Sequence, residues 1–217
     1  MPIRLTLVCA SPADTASPHA PLGERELYGA GATVASLSAH TSVVRSPSAG
    51  SALTAAALGL EATVEPALRD IDYGTWRGRT AAGIAAADPH GYSAWLTDPD
   101  AAPHGGETVH QLCRRTAHWL RTLPVDSGRV LAVADPAVVQ ALLVHALSAP
   151  VRLFGRLRLP PLFVVCLTGC DGDWTVRSAD ASADRGPGRH LSLPLTSLDP
   201  SWRTAGDRSG HYAEHAA

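Results

Sequence analysis

Apolar positions along this chain fall into short runs and helical stripes, and the two alternate. Ile3 to Cys9 is a short run rich in branched residues, which predicts a buried strand. Pro21 to Ser38 carries Leu22, Leu27, Ala30, Val34 and Leu37 at helical spacing. Thr41 to Arg45 predicts a second strand, and Ser46-Pro47 then opens a helix through Leu58 with Gly59 as its stop. Arg79 to Ala87 and Tyr92 to Leu96 are helical, and Asp98-Pro99 ends that stretch. Thr108 to Leu123 is an amphipathic helix with Leu112, Thr116, Trp119 and Leu123 in register. Val130 to Ala134 is a third buried strand, and Pro136 to Leu147 the helix after it. Leu162 to Leu167 and Trp174 to Arg177 complete the strands. From Ala179 onward the pattern dissolves into Ser, Asp, Arg, Gly and Pro.

Alternation of this kind predicts an α/β fold, a three-layer α/β/α sandwich with a mostly parallel central sheet. The expected division is a domain over 1–178 and an irregular tail over 179–217. Ligands of such sheets sit outside the carboxyl ends of the strands. Cys9, Ser46 and Asp135 all follow such ends.

Composition narrows the function classes. With 217 residues, 45% of them hydrophobic and 18% charged, the chain suits one globular domain. A net charge of -2 gives no general attraction to nucleic acid or anionic membranes. No apolar run is long enough to span a bilayer, and the N-terminus starts on a strand-like run without a cleavable signal pattern. The four cysteines, Cys9, Cys113, Cys166 and Cys170, show no disulfide framework, so a reducing cytoplasm is the expected location. All 18 basic residues are arginine, which excludes Schiff-base chemistry through lysine. Cys166 with Cys170, His110 with Cys113, and His211 with His215 are each too few donors for a structural metal site, so neither a metal nor a cofactor is expected.

Five segments carry a resemblance. They are Leu5-Thr6-Leu7-Val8, Ser46-Pro47 with Thr54-Ala55, Leu68-Arg69-Asp70-Ile71-Asp72-Tyr73-Gly74-Thr75-Trp76-Arg77-Gly78, Gly105-Gly106-Glu107-Thr108, and Val130-Leu131-Ala132-Val133. In order and spacing they resemble the histidine phosphatase (phosphoglycerate mutase-like) superfamily over roughly Arg4 to Arg177. More narrowly, the chain resembles degenerate relatives of that family in high-GC actinobacteria. The family opens with Arg-His-Gly after its first strand, and here Cys9-Ala10-Ser11 stands in that place. The resemblance puts the phosphorylated histidine at Ala10, its arginine at Cys9, a second arginine at Gly50 and a second histidine at Asp135. The family's general acid falls on Asp70, a conservative change.

A phosphoryl group needs cations or oriented donors around its oxygens. At roughly 1.5–3 kcal/mol for each charge-assisted hydrogen bond, four losses cost on the order of 6 kcal/mol, about 10⁴-fold in affinity. Ala10 offers no nucleophile, and a carboxylate at Asp135 repels phosphate. The chain is therefore expected to be inactive as a phosphatase or mutase.

The expected pocket is acidic and enlarged. Asp70, Asp135 and Glu107 are its candidate catalytic residues. Cys9, Ala10, Ser11, Gly50, Tyr73, Trp76, Thr108 and Pro136 are its expected lining. Paired carboxylates push their pKa values apart, so one can act as acid and the other as base. A neutral or cationic small molecule is the expected ligand, and no nucleic acid or membrane partner is expected; a homodimer is compatible with the pattern. Each residue has a plainer reading. Asp135-Pro136 resembles a helix cap, Asp70 a turn residue or partner of Arg69 or Arg77, and Glu107 a first-turn glutamate. Cys9 reads equally as a buried small hydrophobe. Two functions stay open: an enzyme repurposed for elimination, isomerisation or cyclisation, and a non-catalytic binder of a metabolite or protein.

Overall fold

A computed structural model describes residues 2–11, 40–124, 127–170 and 172–180. The expected helix over 21–38 lies outside the described residues. The described elements run β1 (Ile3–Cys9), β2 (Ser42–Arg45), α1 (Ala49–Ala57), β3 (Thr63–Val64), α2 (Ala81–Ala87), α3 (Pro89–Thr97), α4 (Val109–Thr122), β4 (Arg129–Ala134), α5 (Pro136–Ala146), β5 (Val164–Cys170) and β6 (Asp173–Asp180).

The strands form one six-stranded sheet in the order β3-β2-β4-β1-β5-β6. β1 to β4 are mutually parallel, and β5 and β6 run antiparallel at one edge. The sheet is therefore mixed, with its parallel half where the sequence places the site.

Alternation along β1 sorts the core into two layers. Leu5, Leu7 and Cys9 pack with Leu112, Trp119 and Leu120 of α4 and with Val138, Ala141 and Leu142 of α5. Val8 and Ala10, on the other face, pack with Leu131, Val133 and Ala55 of α1. Helices thus cover both faces, because each strand of the parallel half is apolar on both sides.

Boundaries follow the capping chemistry. The Ser48 hydroxyl accepts from the Ser51 amide and starts α1, two residues after the expected Ser46. Thr108 and Gln111 form a reciprocal capping box on α4. β6 continues to Asp180, past the expected end at Arg177, because it pairs with β5 through the partners Val164 and Asp180. The described elements belong to a compact unit, Met1–Asp184, and a second unit, Arg185–Ala217, lies outside the described residues together with nearly all of the expected tail.

Two glycines bring the Asp70–Gly78 and His104–Thr108 segments together. A Cβ on Gly74, whose φ is +46°, would lie 2.1 Å from the His104 carbonyl oxygen. A Cβ on Gly106 would lie 2.0 Å from the Asp72 carbonyl oxygen. Only glycine permits this backbone contact. No helix among the described residues is long and apolar enough to cross a membrane.

Candidate functional site

Strand order builds the site. β4 lies between β2 and β1, so its carboxyl end meets theirs. The Ala10 amide donates to Ala134 O at 2.8 Å, and the Ser46 amide donates to Val133 O at 2.9 Å. These two bonds hold Ala10 and Ser46 on either side of Asp135.

Asp135 is 9% exposed. Its Oδ2 accepts from Ser46 Oγ at 2.6 Å and its Oδ1 from Ser48 Oγ at 2.8 Å. Ser46 is fully buried and also lies 2.7 Å from Ser51 Oγ. The carboxylate therefore sits in a cluster of hydroxyls. It occupies the N-cap position of α5, but its side chain makes no capping bond. The capping reading of Asp135 is corrected, because the serines of the β2–α1 junction take both its oxygens. Pro136 fills the first helical position and is half-buried.

Asp70 follows a short 3₁₀ turn, Pro66–Leu68, and accepts from the Ile71 amide at 2.8 Å. Burial, and then the charge of Asp135, push its carboxyl up to about 7, against the opposing pull of the Ile71 amide and Arg115. Arg77 pairs with Asp72 at 3.0 Å and Arg69 reaches Glu107 at 3.9 Å, so neither is the partner of Asp70. Tyr73 is raised above its ordinary value by burial and then by Asp70 and Asp135. Asp70, Asp135 and Tyr73 therefore share one electrostatic neighbourhood.

Glu107 is held differently. Arg115 grips it bidentately, Nε to Oε1 at 3.0 Å and Nη2 to Oε2 at 2.8 Å. The third guanidinium nitrogen of Arg115 donates to Ala67 O and Arg69 O. Glu107 precedes the N-cap Thr108 and so lies outside the first turn of α4, which corrects the helix-dipole reading. Its charge is neutralised in place. The Thr108 hydroxyl is taken by the Gln111 amide.

The expected enlargement is not found at Cys9, Ala10 and Gly50. Cys9 and Ala10 are 0% exposed, and Gly50 is buried in the first turn of α1. Burial, then Asp135, push the Cys9 thiol up to about 12, so it is a packed thiol and not a nucleophile near neutrality. Ser11 is half-buried, with its amide on Thr54 Oγ1 at 3.0 Å. The two cavities described, of about 420 and 70 Å³, lie elsewhere. What stays partly accessible beside Asp135 is Asp70, Ser11, Tyr73 and Pro136.

Several residues of this region were not singled out from the sequence. Ser48, Ser51 and Arg115 are among them, and no local signal sets them apart from ordinary helix residues. His104 is 1% exposed and sits in an aromatic cluster, 4.7 Å from the Trp95 ring and 5.0 Å from that of Trp76. Its Nδ1 accepts from the Gly106 amide at 3.0 Å. Burial lowers its pKa, so the neutral ring is the form that fits. Trp76 packs in this cluster and is buried. Among the described residues no three His, Cys, Asp or Glu side chains gather as a metal site.

A mixed sheet with parallel strand ends meeting at Ala10, Ser46 and Asp135 defines an α/β sandwich with its candidate site at the strand ends. The family model of the histidine phosphatase superfamily (branch 1) matches residues 16–181, and the chain belongs to that superfamily. Among curated relatives it is 33% identical over 144 residues to a bifunctional protein of Mycobacterium tuberculosis, covering 64% of this chain and 40% of that protein. The chain thus spans well under half of that relative. Among solved structures it is similar to mycobacterial glucosyl-3-phosphoglycerate phosphatase, with 25% identity, a TM-score of 0.67, and coverage of 84% of this chain and 100% of the other. An α-ribazole phosphatase from Shigella flexneri, at 21% identity and TM-score 0.67, covers 82% of this chain and 96% of its own and shares the fold.

Proposed function

We propose that this histidine phosphatase-fold protein does not turn over phosphate esters, and that its strand-end carboxylates act on a neutral or cationic small molecule by proton transfer. The observation that carries this reading is that the charge of Asp135 acts on the buried carboxyl of Asp70. Asp135 stands where the resemblance puts the family's second histidine. Its charge helps raise Asp70 to about 7, where a carboxyl can both give and accept a proton. Asp135 is held in place through both oxygens by serines, and Asp70 is the proton carrier. An amine meets two carboxylates here; of the described arginines around them, Arg115 is committed to Glu107, Arg69 reaches the same carboxylate at 3.9 Å, and Arg45 donates to the Ser46 carbonyl. The chemistry of this class is elimination, isomerisation or cyclisation.

One observation favours a non-catalytic binder. The positions to which the resemblance assigns the family's arginine and histidine are sealed, with Cys9 and Ala10 fully buried. Ligand binding separates neither reading, but the proton carrier does.

The test is a thermal-shift panel of methylamine, choline, guanidine and imidazole at constant ionic strength, on wild type and Asp135→Ala. A ligand at about 100 times its dissociation constant should add roughly 2.7 kcal/mol to the wild type. That gain should vanish in Asp135→Ala. Amines that stabilise both proteins equally would remove the acidic site from consideration. Amine binding unaffected by Asp70→Asn, with no reaction found, would favour the binder.

A further inference from the structure

At the amino end of the sheet, a cavity of about 420 Å³ is lined by Arg4, Thr6, His40, Arg129, Thr168 and Arg177, among others. Its cations converge by strand register. Arg4 and Arg129 are direct partners in the parallel β1–β4 ladder, and Arg4 pairs on its other side with Thr168 of β5. Direct partners share a face of the sheet, with strands about 4.8 Å apart. The two arginine side chains therefore leave the backbone side by side. Arg177 is the residue passed over where the β5–β6 register slips, between Val176 opposite Leu167 and Ser178 opposite Cys166. His40 completes the set, and after burial the charge of Arg129 is what lowers its pKa.

This charge is unbalanced among the described residues. The carboxylates there that form ion pairs do so with Arg69, Arg77, Arg115 and His110, and none with Arg4, Arg129 or Arg177. Like charges directly opposed across a ladder destabilise it. A ligand anion would remove that cost.

We propose that this cavity binds a phosphorylated small molecule, with its phosphate held between Arg4, Arg129 and Arg177. Guanidinium forks match phosphate oxygens in paired hydrogen bonds. A phosphate monoester carries about −1.5 to −2 charge at neutral pH, which calls for more than one cation. The hydroxyl-bearing Thr6 and Thr168 stand on the same face. A volume of about 420 Å³ lies within the roughly 300–1,000 Å³ of small-molecule sites and leaves room for an organic group beside the phosphate. The site is distinct from the strand-end carboxylates. Arg4 pairs with Arg129 and Cys9 with Ala134, so at about 3.3 Å per residue most of the length of β1 separates Arg4 from Asp135.

The experiment is calorimetric titration of the full chain with pyrophosphate, inorganic phosphate and citrate, against sodium chloride at matched ionic strength. Pyrophosphate should bind, and Arg4→Gln and Arg129→Gln should each weaken it by about tenfold, the loss of one charge-assisted bond. Arg177→Gln, on the edge strand, should weaken it similarly and serves if a central substitution impairs folding. Asp135→Ala should leave the affinity unchanged. The unliganded Arg4→Gln protein should melt no lower than wild type. Chloride giving as large a binding heat as pyrophosphate would reduce the effect to screening and overturn the site. Citrate binding as tightly as pyrophosphate would overturn the phosphate class. Unchanged affinity in all three arginine variants would place the anion elsewhere.

Discussion

Ser46 donates its hydroxyl proton to Asp135 across 2.6 Å, tying the carboxyl end of β2 to that of β4. Both side chains are buried, so the bond is made away from water and its loss is felt in full. Replacing Ser46 by Ala leaves Asp135 with Ser48 alone and leaves Ser51 without its acceptor. Urea denaturation at neutral pH should show a loss of about 1–3 kcal/mol. In a double-mutant cycle with Asp135→Ala, the coupling should exceed about 0.5 kcal/mol. Additive effects would mean that the two groups act independently.

Asp70 makes stability depend on pH with a defined sign. Its folded pKa of about 7 stands above the ordinary carboxylate value of 3.8. Between those values the folded state binds more protons than the unfolded one, so this group's contribution is full below the lower value and is lost as pH rises toward 7. Asp70→Asn should abolish that decline and stabilise the protein at pH 8 by on the order of 1 kcal/mol or more. Parallel pH–stability curves for wild type and variant would contradict the raised pKa.

Phosphatase chemistry should be absent. Ala10 cannot accept a phosphoryl group, and Cys9 is buried with its thiol pushed up to about 12. With p-nitrophenyl phosphate, wild type and Asp70→Asn should be indistinguishable from buffer. Turnover in the wild type that disappears in Asp70→Asn would show that the site is an active phosphatase and overturn the proposed function.

The Glu107–Arg115 pair should be costly to break from one side. Both side chains are nearly buried, and Arg115 also holds the carbonyls of Ala67 and Arg69. Arg115→Ala strands the carboxylate and should cost about 3–5 kcal/mol. The pair Glu107→Gln with Arg115→Met should be milder than Arg115→Ala alone, as measured by guanidinium denaturation. Equal losses would mean that Arg115 acts through its packing and not through charge.

The apolar runs and stripes determined the sandwich, because burial on both faces of a strand and on one stripe of a helix leaves a period in the sequence. Strand ends at Cys9, Ser46 and Asp135 were legible for the same reason, whereas the place of Asp70 beside them came only as what the family resemblance implies. Other features depend on contacts between segments far apart in the chain. The hydroxyl cluster around Asp135 needs β2 and β4 to be neighbours, and strand order is not written in local periodicity. The grip of Arg115 on Glu107 and two distant carbonyls looks, in sequence, like any polar helix position. The burial of Ala10 and Gly50, where the sequence reading expected open space, is a matter of how closely β1 and α1 pack. The opposition of Arg4 and Arg129 is likewise a matter of register, fixed only when the two strands hydrogen-bond.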